Sequence, residues 1–235
     1  MARKEFMPPW FEGKIPESSF RSILKWADPE GYKHPNKGLY REMKRVFGLD
    51  DTWFDKPRDL GLETVPEGIP SRLEARHLEA LTAVVGPENA FTDVYHRLQL
   101  AYGKTIIDTL RLRKGIIENI PDIVLRPRDR KDLRTIVDYC QAEGIPVYVY
   151  GGGSSVTRGV EAVSGGVSLD MRVHLTRVLG FDEKNQTITV EAGMAGPELE
   201  RVLRGAPELL KAGRAYTCGH LPQSFEGSVV GGWVV

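Results

Sequence analysis

The chain has 235 residues, enough for one large or two modest domains, and its 32 basic and 32 acidic residues leave a formal net charge of zero. Without a global electric field, binding to nucleic acid is disfavoured. The two cysteines, Cys140 and Cys218, are too few for a disulfide framework and wrongly spaced for a zinc site, which favours a reducing, cytoplasmic compartment and no metal. We predict neither a signal peptide nor a membrane helix, because Pro8, Pro9 and Trp10 follow the basic start and no long apolar run occurs.

Residues 1–100 are predicted to form an amino-terminal arm with helices. Up to about residue 70 this part is rich in Pro, Gly, Trp and Lys, which indicates an irregular segment that packs on a larger body. From residue 72 to residue 85, apolar residues recur mostly at helical spacing and a Gly-Pro pair follows, which predicts a helix. A second short helix or turn is expected from Ile106 to Leu112.

The pattern after residue 120 alternates between strand and helix. Residues 121–125 and residues 145–150 predict two apolar strands. Between them, Asp129 can cap a helix that stops at Gly144, and the basic run from Arg126 to Arg134 is interpreted as its solvated start. A strand, helix and strand in this order are typical of parallel sheets.

Further strands and one helix are predicted toward the end of the chain. Residues 167–170 predict a third strand. Residues 178–181 and 187–190 flank a polar turn, which predicts a β-hairpin. Residues 198–203 follow a Gly-Pro pair and are predicted to form an amphipathic helix.

Three consecutive glycines, Gly151 to Gly153, follow the strand that ends at Tyr150. Because glycine lacks a Cβ, successive residues can take left-handed and right-handed conformations in turn and aim their amides inward as an anion nest. Ser154 and Ser155 add hydroxyl donors. A tight turn is the alternative interpretation of such a glycine cluster. We predict that the loop binds a pyrophosphate.

Several motifs in a fixed order carry a resemblance to a known family. They are Pro121-Asp122-Ile123-Val124, Gly151-Gly152-Gly153-Ser154-Ser155-Val156, Val190-Glu191-Ala192-Gly193, Gly219-His220-Leu221-Pro222-Gln223-Ser224 and Gly231-Gly232-Trp233. This order resembles the FAD-binding half of FAD-linked oxidases of the para-cresol methylhydroxylase type, and within that superfamily it looks most like the alkyldihydroxyacetonephosphate synthases. The resemblance covers about Tyr102 to Val235. It implies that residues 101–235 form an α+β FAD-binding domain of two α/β subdomains, incomplete at its carboxyl end.

The same resemblance implies two cofactor-binding segments. The first would wrap the FAD pyrophosphate and comprises Val149, Tyr150, Gly151, Gly152, Gly153, Ser154 and Ser155. The second would line the cofactor as a loop entering a helix and comprises Pro222, Gln223, Ser224, Phe225, Glu226, Gly227, Ser228 and Val229. Gly227 and Val229 depart from the commonest family pattern. Covalent members of the superfamily carry a histidine where Ser154 stands, so the resemblance implies that FAD is bound non-covalently.

A few other residues have both a structural and a functional interpretation. Asp170 could orient a cofactor group, but at the end of a strand a turn former is favoured. The segment Glu191-Ala192-Gly193 could place backbone against the flavin or simply end a hairpin strand. We interpret His220 as a packing residue and not as catalytic. Cys140 is expected in the core, and Cys218 would be redox-sensitive only if it were exposed.

The resemblance leaves three functions open. A protein that follows the synthases replaces the acyl group of acyl-dihydroxyacetone phosphate with a fatty alcohol, in ether-lipid formation. One that follows the oxidase branch is an FAD-dependent oxidoreductase of 2-hydroxy acids such as glycolate or D-lactate. The third function is that of a non-catalytic flavin-binding fragment. The expected partner is a small-molecule or lipid substrate; a long-chain alcohol would suit peripheral membrane contact, and the chain could form a homodimer.

The last residues predict that more protein follows. Ser228 to Val235 form an apolar, glycine-containing run with no hydrophilic tail. In the resembled family the remainder completes the FAD domain, adds a substrate domain and supplies the tyrosine, arginine and histidine implicated in catalysis. We therefore expect the catalytic residues beyond residue 235 and expect this chain alone to be inactive.

Overall fold

The computed structural model describes residues 15–24, 37–56 and 59–234. The chain divides into two compact units, one made of residues 1–65 and 109–116 and the other of residues 66–108 and 117–235. The domain boundary expected after residue 100 stays a prediction. Trp10 and Trp26, which marked the irregular arm, lie outside the described residues.

The described part of the first unit is largely helical. It contains helices α1 (Phe20–Leu24), α2 (Lys37–Phe47) and α3 (Asp51–Phe54). Asp50 caps α3, since its carboxylate accepts a hydrogen bond from the Trp53 amide at 3.0 Å. The Tyr40 ring on α2 packs against the Phe54 ring at 4.6 Å between centroids. The helices agree with an arm that contains helices, but the described residues before residue 65 are more regular than the irregular segment that the composition indicated.

The second unit contains the elements that the strand and helix patterns predict, and several begin two or three residues later than expected. In chain order they are α4 (Ala75–Val85), β1 (Ala90–Phe91), α5 (Val94–Gln99), α6 (Ile106–Arg113), which begins in this unit, β2 (Ile123–Leu125), α7 (Arg130–Glu143), β3 (Val147–Tyr150), β4 (Val167–Asp170), β5 (Val178–Asp182), β6 (Thr187–Val190), α8 (Gly196–Arg204) and α9 (Ala206–Leu209). The mixed α+β architecture is as predicted.

Four of the strands form one sheet in the order β1-β2-β4-β3. Strands β2 and β3 both run parallel to β4, and β1 is antiparallel to β2. Every residue of β2 and β4 is buried, because the central strands of a parallel sheet are covered on both faces. Strands β5 and β6 form the predicted antiparallel hairpin as a second sheet.

Helix α7 connects β2 to β3 and begins and ends where the sequence predicts. The Asp129 carboxylate accepts hydrogen bonds from the amides of Lys131 at 2.8 Å and Asp132 at 2.9 Å. Gly144 ends the helix in the left-handed conformation with φ of 66°. These two caps fix the start of the chain segment that forms β3.

The main hydrophobic core lies between the sheet and helices α4 and α7. Its most buried members are Leu81, Val85, Ile123, Leu125, Ile136, Cys140, Val167 and Leu169. Burial raises the pKa of the Cys140 thiol to about 11, which fits the predicted core position. None of the helices in the described ranges has the length and apolar character needed to cross a bilayer.

Candidate functional site

The glycine loop, defined here as residues Gly151 to Ser155, begins where β3 ends. Tyr150, the last residue of β3, pairs with Asp170, the last residue of β4, so the two parallel strands end side by side. Ligands of open α/β sheets bind at the carboxyl ends of the strands. The fold therefore places the glycine loop at the carboxyl ends of the parallel strands, where a ligand site is expected.

Glycine is required in this loop because another segment of the chain packs directly against it. A Cβ at Gly152 would overlap the carbonyl oxygen of Gly227 and lie 2.6 Å from the Cα of Ser228. A Cβ at Gly151 would overlap the side chain of Val229. The two segments predicted to bind the cofactor are thus in contact, although more than 70 residues separate them in sequence.

The backbone of the loop differs from the predicted alternation of conformations. Within the glycine run only Gly153 has a positive φ, of 65°, so the left-handed conformation occurs at one position. A Cβ at Gly153 would overlap the hydroxyl of Tyr150, which lies directly behind it. Packing against Tyr150 and against residues 227–229 therefore explains the glycines as much as ligand access does.

The amides of the glycine loop are unpaired within the described part of the protein. Across the described ranges, the backbone N–H groups of Gly151, Gly152, Gly153, Ser154 and Ser155 donate no hydrogen bond to another protein group. Buried or half-buried amides are nearly always paired with protein, water or a ligand. Five consecutive unpaired donors fit the negatively charged oxygens of a pyrophosphate.

A cavity of about 610 Å³ opens beside the loop. Cofactor and small-molecule pockets commonly measure about 300–1,000 Å³. Of the predicted cofactor residues, those that line this cavity are Val149, Gly151, Gly152, Gly153, Ser154, Ser155 and Val229. Those that do not line it are Tyr150, Pro222, Gln223, Ser224, Phe225, Glu226, Gly227 and Ser228. Cofactor contact by any of these residues stays a prediction.

The second predicted segment is not the entrance to a regular helix. Phe225–Gly227 form a single 3-10 turn, and Ser228 already has extended backbone. The Ser228 hydroxyl accepts a hydrogen bond from the Trp233 indole at 2.7 Å. Val229 forms an isolated antiparallel β-bridge with Ala195. A short 3-10 helix, Val230–Trp233, follows Val229 in place of a regular α-helix, and residues 227–229 pack against the glycine loop.

Several residues line the cavity that the sequence analysis did not assign to the cofactor site: Val156, Thr157, Gly159, Val160, Met171, Ala192, Gly231 and Gly232. Met171 follows directly on β4, so the rule that ligands bind at the carboxyl ends of parallel strands could have identified it. Val156, Ala192, Gly231 and Gly232 stand in motifs that carried the family resemblance. Thr157, Gly159 and Val160 follow the glycine loop in sequence, and no sequence pattern marked them as cavity residues.

Charged side chains near the site are mostly paired. Asp170 is fully buried and forms ion pairs with Arg172 at 2.7 Å and with Arg126 at 3.4 Å. Burial opposes ionisation of Asp170, but hydrogen bonding and attraction to Arg172 outweigh it and lower the pKa of that carboxyl. Burial raises the pKa of Tyr150 to about 12, so this phenol stays neutral. Asp170 is thus a structural residue, and Arg126 is not part of a solvated helix start.

The remaining candidates have structural partners. Glu191 accepts hydrogen bonds from Arg177, including one at 2.8 Å, while its neighbour Ala192 lines the cavity. His220 is exposed and lies edge-on to the Trp233 ring at 6.0 Å, and its packing role stays a prediction. No cluster of three metal-binding side chains occurs within the described ranges.

Comparison with known proteins gives one matching family and a consistent set of relatives. Residues 121–235 match the family described as "FAD binding domain". The chain is 31% identical over 203 residues to alkyldihydroxyacetonephosphate synthase of Dictyostelium discoideum, covering 84% of this chain. A solved structure of alkyldihydroxyacetonephosphate synthase superposes with a TM-score of 0.63 at 31% identity, covering 71% of this chain and 29% of that one.

A more distant relative belongs to the oxidase branch. The chain is 28% identical over 125 residues to a glycolate oxidase subunit of Bacillus subtilis (strain 168), covering 53% of this chain and 24% of that protein. The chain spans about a third of the length of the Dictyostelium discoideum synthase, at 32%.

Proposed function

Because residues 121–235 belong to the FAD binding domain family, we propose that this chain binds FAD non-covalently through the glycine loop and forms part of an alkyldihydroxyacetonephosphate synthase. The observation that carries the proposal is the row of five unpaired amides, from Gly151 to Ser155, on the surface of a cofactor-sized cavity. Backbone donors of this kind stabilise phosphate oxygens without a change in conformation.

The residues around the cavity support a cofactor held by non-covalent contacts. Those that line it in the described ranges are glycine, alanine, valine, methionine, serine and threonine, and none carries an imidazole that could be alkylated. The apolar side chains of Val149, Val156, Val160, Met171 and Val229 would exclude water from the ring systems of the cofactor, while the loop amides hold its pyrophosphate.

FAD would supply the redox-active ring that flavoenzymes use for chemistry that amino acids cannot perform. The part of this chain is to bind and orient that cofactor. The synthase assignment rests on 31% identity over 203 residues, against 28% over 125 residues for the glycolate oxidase subunit. Oxidation of a 2-hydroxy acid is the second candidate, and it is supported by that weaker similarity.

The first experiment tests flavin binding by the 235-residue chain itself. We expect the purified chain to bind FAD, and we expect mild acid to release all the flavin into the supernatant. ADP-ribose, which shares the pyrophosphate but lacks the flavin, should compete with FAD, while riboflavin should bind far more weakly. Flavin that stays with the acid-precipitated protein would contradict non-covalent binding, and failure to bind FAD would contradict the function.

The second experiment distinguishes the two enzyme classes in the full-length protein. Exchange of the acyl group of acyl-dihydroxyacetone phosphate for a fatty alcohol would support the synthase. Bleaching of the flavin by glycolate or D-lactate, without that exchange, would support the oxidase. A matched preparation without FAD serves as the control for both assays.

A further inference from the structure

Lys104 is fixed by its backbone to the end of the glycine loop. Its amide donates a hydrogen bond to the carbonyl oxygen of Ser155 at 2.8 Å. The preceding residue, Gly103, packs so closely on Ser155 that a Cβ there would lie 3.1 Å from the Ser155 carbonyl carbon. Two consecutive residues thus hold the base of the Lys104 side chain against the loop.

The cavity has no positive charge of its own. The side chains that line it in the described ranges are all uncharged. Two cations that neighbour the loop are already matched by carboxylates: Arg172 pairs with Asp170 at 2.7 Å, and Arg158 pairs with Glu161 at 2.5 Å. A pyrophosphate bound at the loop amides would need its charge balanced by another group.

Lys104 differs from those two arginines because it has no carboxylate partner in the described ranges. It is half-buried, and the charged groups that act on it are Arg172, which repels it, and Asp108, which attracts it from beyond ion-pair distance. Burial, followed by repulsion from Arg172, lowers the pKa of Lys104 to about 8. A partly desolvated cation without a counter-ion is unfavourable in the free protein, and an anion that binds beside it relieves that cost.

Arg172, the charged group that acts most strongly on Lys104, also lies close to the glycine loop. The Arg172 guanidinium lies 5.1 Å from the centre of the Tyr150 ring. The Tyr150 hydroxyl occupies the space directly behind Gly153. The backbone hydrogen bond to Ser155 therefore anchors Lys104 at the end of the loop, and the cation that repels its ammonium, Arg172, packs on the tyrosine behind Gly153.

We propose that Lys104 is a cofactor-binding residue, and that its ammonium supplies the positive charge for the pyrophosphate of FAD held by the amides of Gly151 to Ser155. The inference rests on the proposed FAD function and adds one residue to it. The loop amides give the site its geometry, while Lys104 gives it net charge. Loss of the charge should weaken the binding of ligands that carry the pyrophosphate and should leave the contacts of the flavin ring unchanged.

The test compares FAD and riboflavin on the 235-residue chain by flavin fluorescence. Its variants are Lys104→Gln, which removes the charge, Lys104→Arg, which keeps it, and Lys184→Gln, which removes an equal charge from the exposed hairpin turn. We expect K104Q to raise the dissociation constant for FAD about tenfold at low salt, since it deletes one unit charge near the pyrophosphate. Riboflavin binding should not change, and K104R and K184Q should bind FAD like the unmodified chain.

The pH dependence of the unmodified chain provides a test that needs no variant. Free Lys104 loses its proton above about pH 8, whereas a bound pyrophosphate favours the protonated form, so FAD affinity should fall as the pH rises through that value. The arginines, Asp170 and Tyr150 do not titrate in this window. The dissociation constant should approach that of K104Q above about pH 9, while K104Q itself stays nearly constant.

Each outcome supports or overturns the inference. An unmodified chain that binds no FAD overturns both the proposed function and the role of Lys104. An unmodified chain that binds FAD, with K104Q equally tight or with no pH dependence, overturns the role of Lys104 alone. An equal loss of FAD and riboflavin binding in K104Q would show a general structural effect and also overturn it. If K104Q fails to fold, the pH profile of the unmodified chain and the K104R variant decide the question.

Discussion

Replacement of Arg97 by methionine should destabilise the second unit strongly, because this guanidinium is buried within a ring of backbone carbonyl groups. Arg97 lies on α5 and is only 1% exposed. It donates hydrogen bonds of 2.6 Å to the carbonyl oxygens of Pro121 and Ile69, and longer ones of 3.4 Å to those of Thr92 and Pro70. One side chain therefore ties α5 and the segment before α4 to the start of β2.

The expected cost follows from the two short hydrogen bonds. A hydrogen bond to a charged group contributes about 1.5–3 kcal/mol, so the loss of both would cost about 3–6 kcal/mol. Burial already disfavours the charged guanidinium and lowers the pKa of Arg97, so its removal recovers part of that sum. We therefore expect R97M to lower the free energy of unfolding by about 3 kcal/mol.

Urea denaturation followed by circular dichroism measures this change. With a denaturant slope of about 3 kcal/mol/M, the midpoint should fall by about 1 M. The matched control is Arg134→Met on the exposed face of α7, where the guanidinium pairs only with Asp138 and the change should stay within about 0.5 kcal/mol. An R97M chain that unfolds within 1 kcal/mol of the unmodified one would refute the reasoning that these carbonyl groups depend on Arg97.

Three further predictions follow from the loop, the α7 cap and the cysteines. Gly152→Ala should abolish FAD binding and lower the thermal midpoint of unfolding, because the added Cβ overlaps an opposing carbonyl oxygen. The control is Gly180→Ala, where the added Cβ would meet open space, and it should leave both quantities unchanged. Asp129→Ala should cost about 1 kcal/mol in urea denaturation through the loss of the α7 cap; no measurable change would contradict the cap's role. Iodoacetamide should label half-buried Cys218 in the native chain and leave buried Cys140 unlabelled until denaturant is added. Mass spectrometry of the peptides measures the labelling, and equal labelling of both cysteines in the native chain would contradict the packing.

Local sequence signals predicted the elements that local interactions determine. The Asp129 cap, the Gly144 stop and the hairpin around residues 183–186 all depend on residues adjacent in sequence, and the structure confirms them. Residues 222–229 were expected to form a loop that enters a helix, but the structure has a 3-10 turn at Phe225–Gly227 and a 3-10 helix at Val230–Trp233, and residues 227–229 pack against the glycine loop. That geometry comes from a contact between distant segments, which a short window of sequence does not contain.

Buried charge was harder to predict for the same reason. Arg126 stands in a basic run that resembled a solvated helix start, but its guanidinium pairs with Asp170 and lies 4.3 Å from the centre of the Phe91 ring. Arg97 and Lys104 are single basic residues with no motif around them, so their roles depend entirely on which carbonyl groups and charges the fold brings near. Sequence alone gives their type but not their partners.

The glycines of the loop have two possible explanations, close packing within the protein and access for a ligand. Packing against residues 227–229 and Tyr150 excludes a Cβ from all three positions of the run, and this would hold even if no ligand were bound. Glycine content by itself therefore does not identify a nucleotide site. The unpaired amides are the stronger argument, because a packed turn that served only the fold would be expected to use its donors within the protein. Binding of ADP-ribose measures those donors directly, since it retains the pyrophosphate and lacks the flavin.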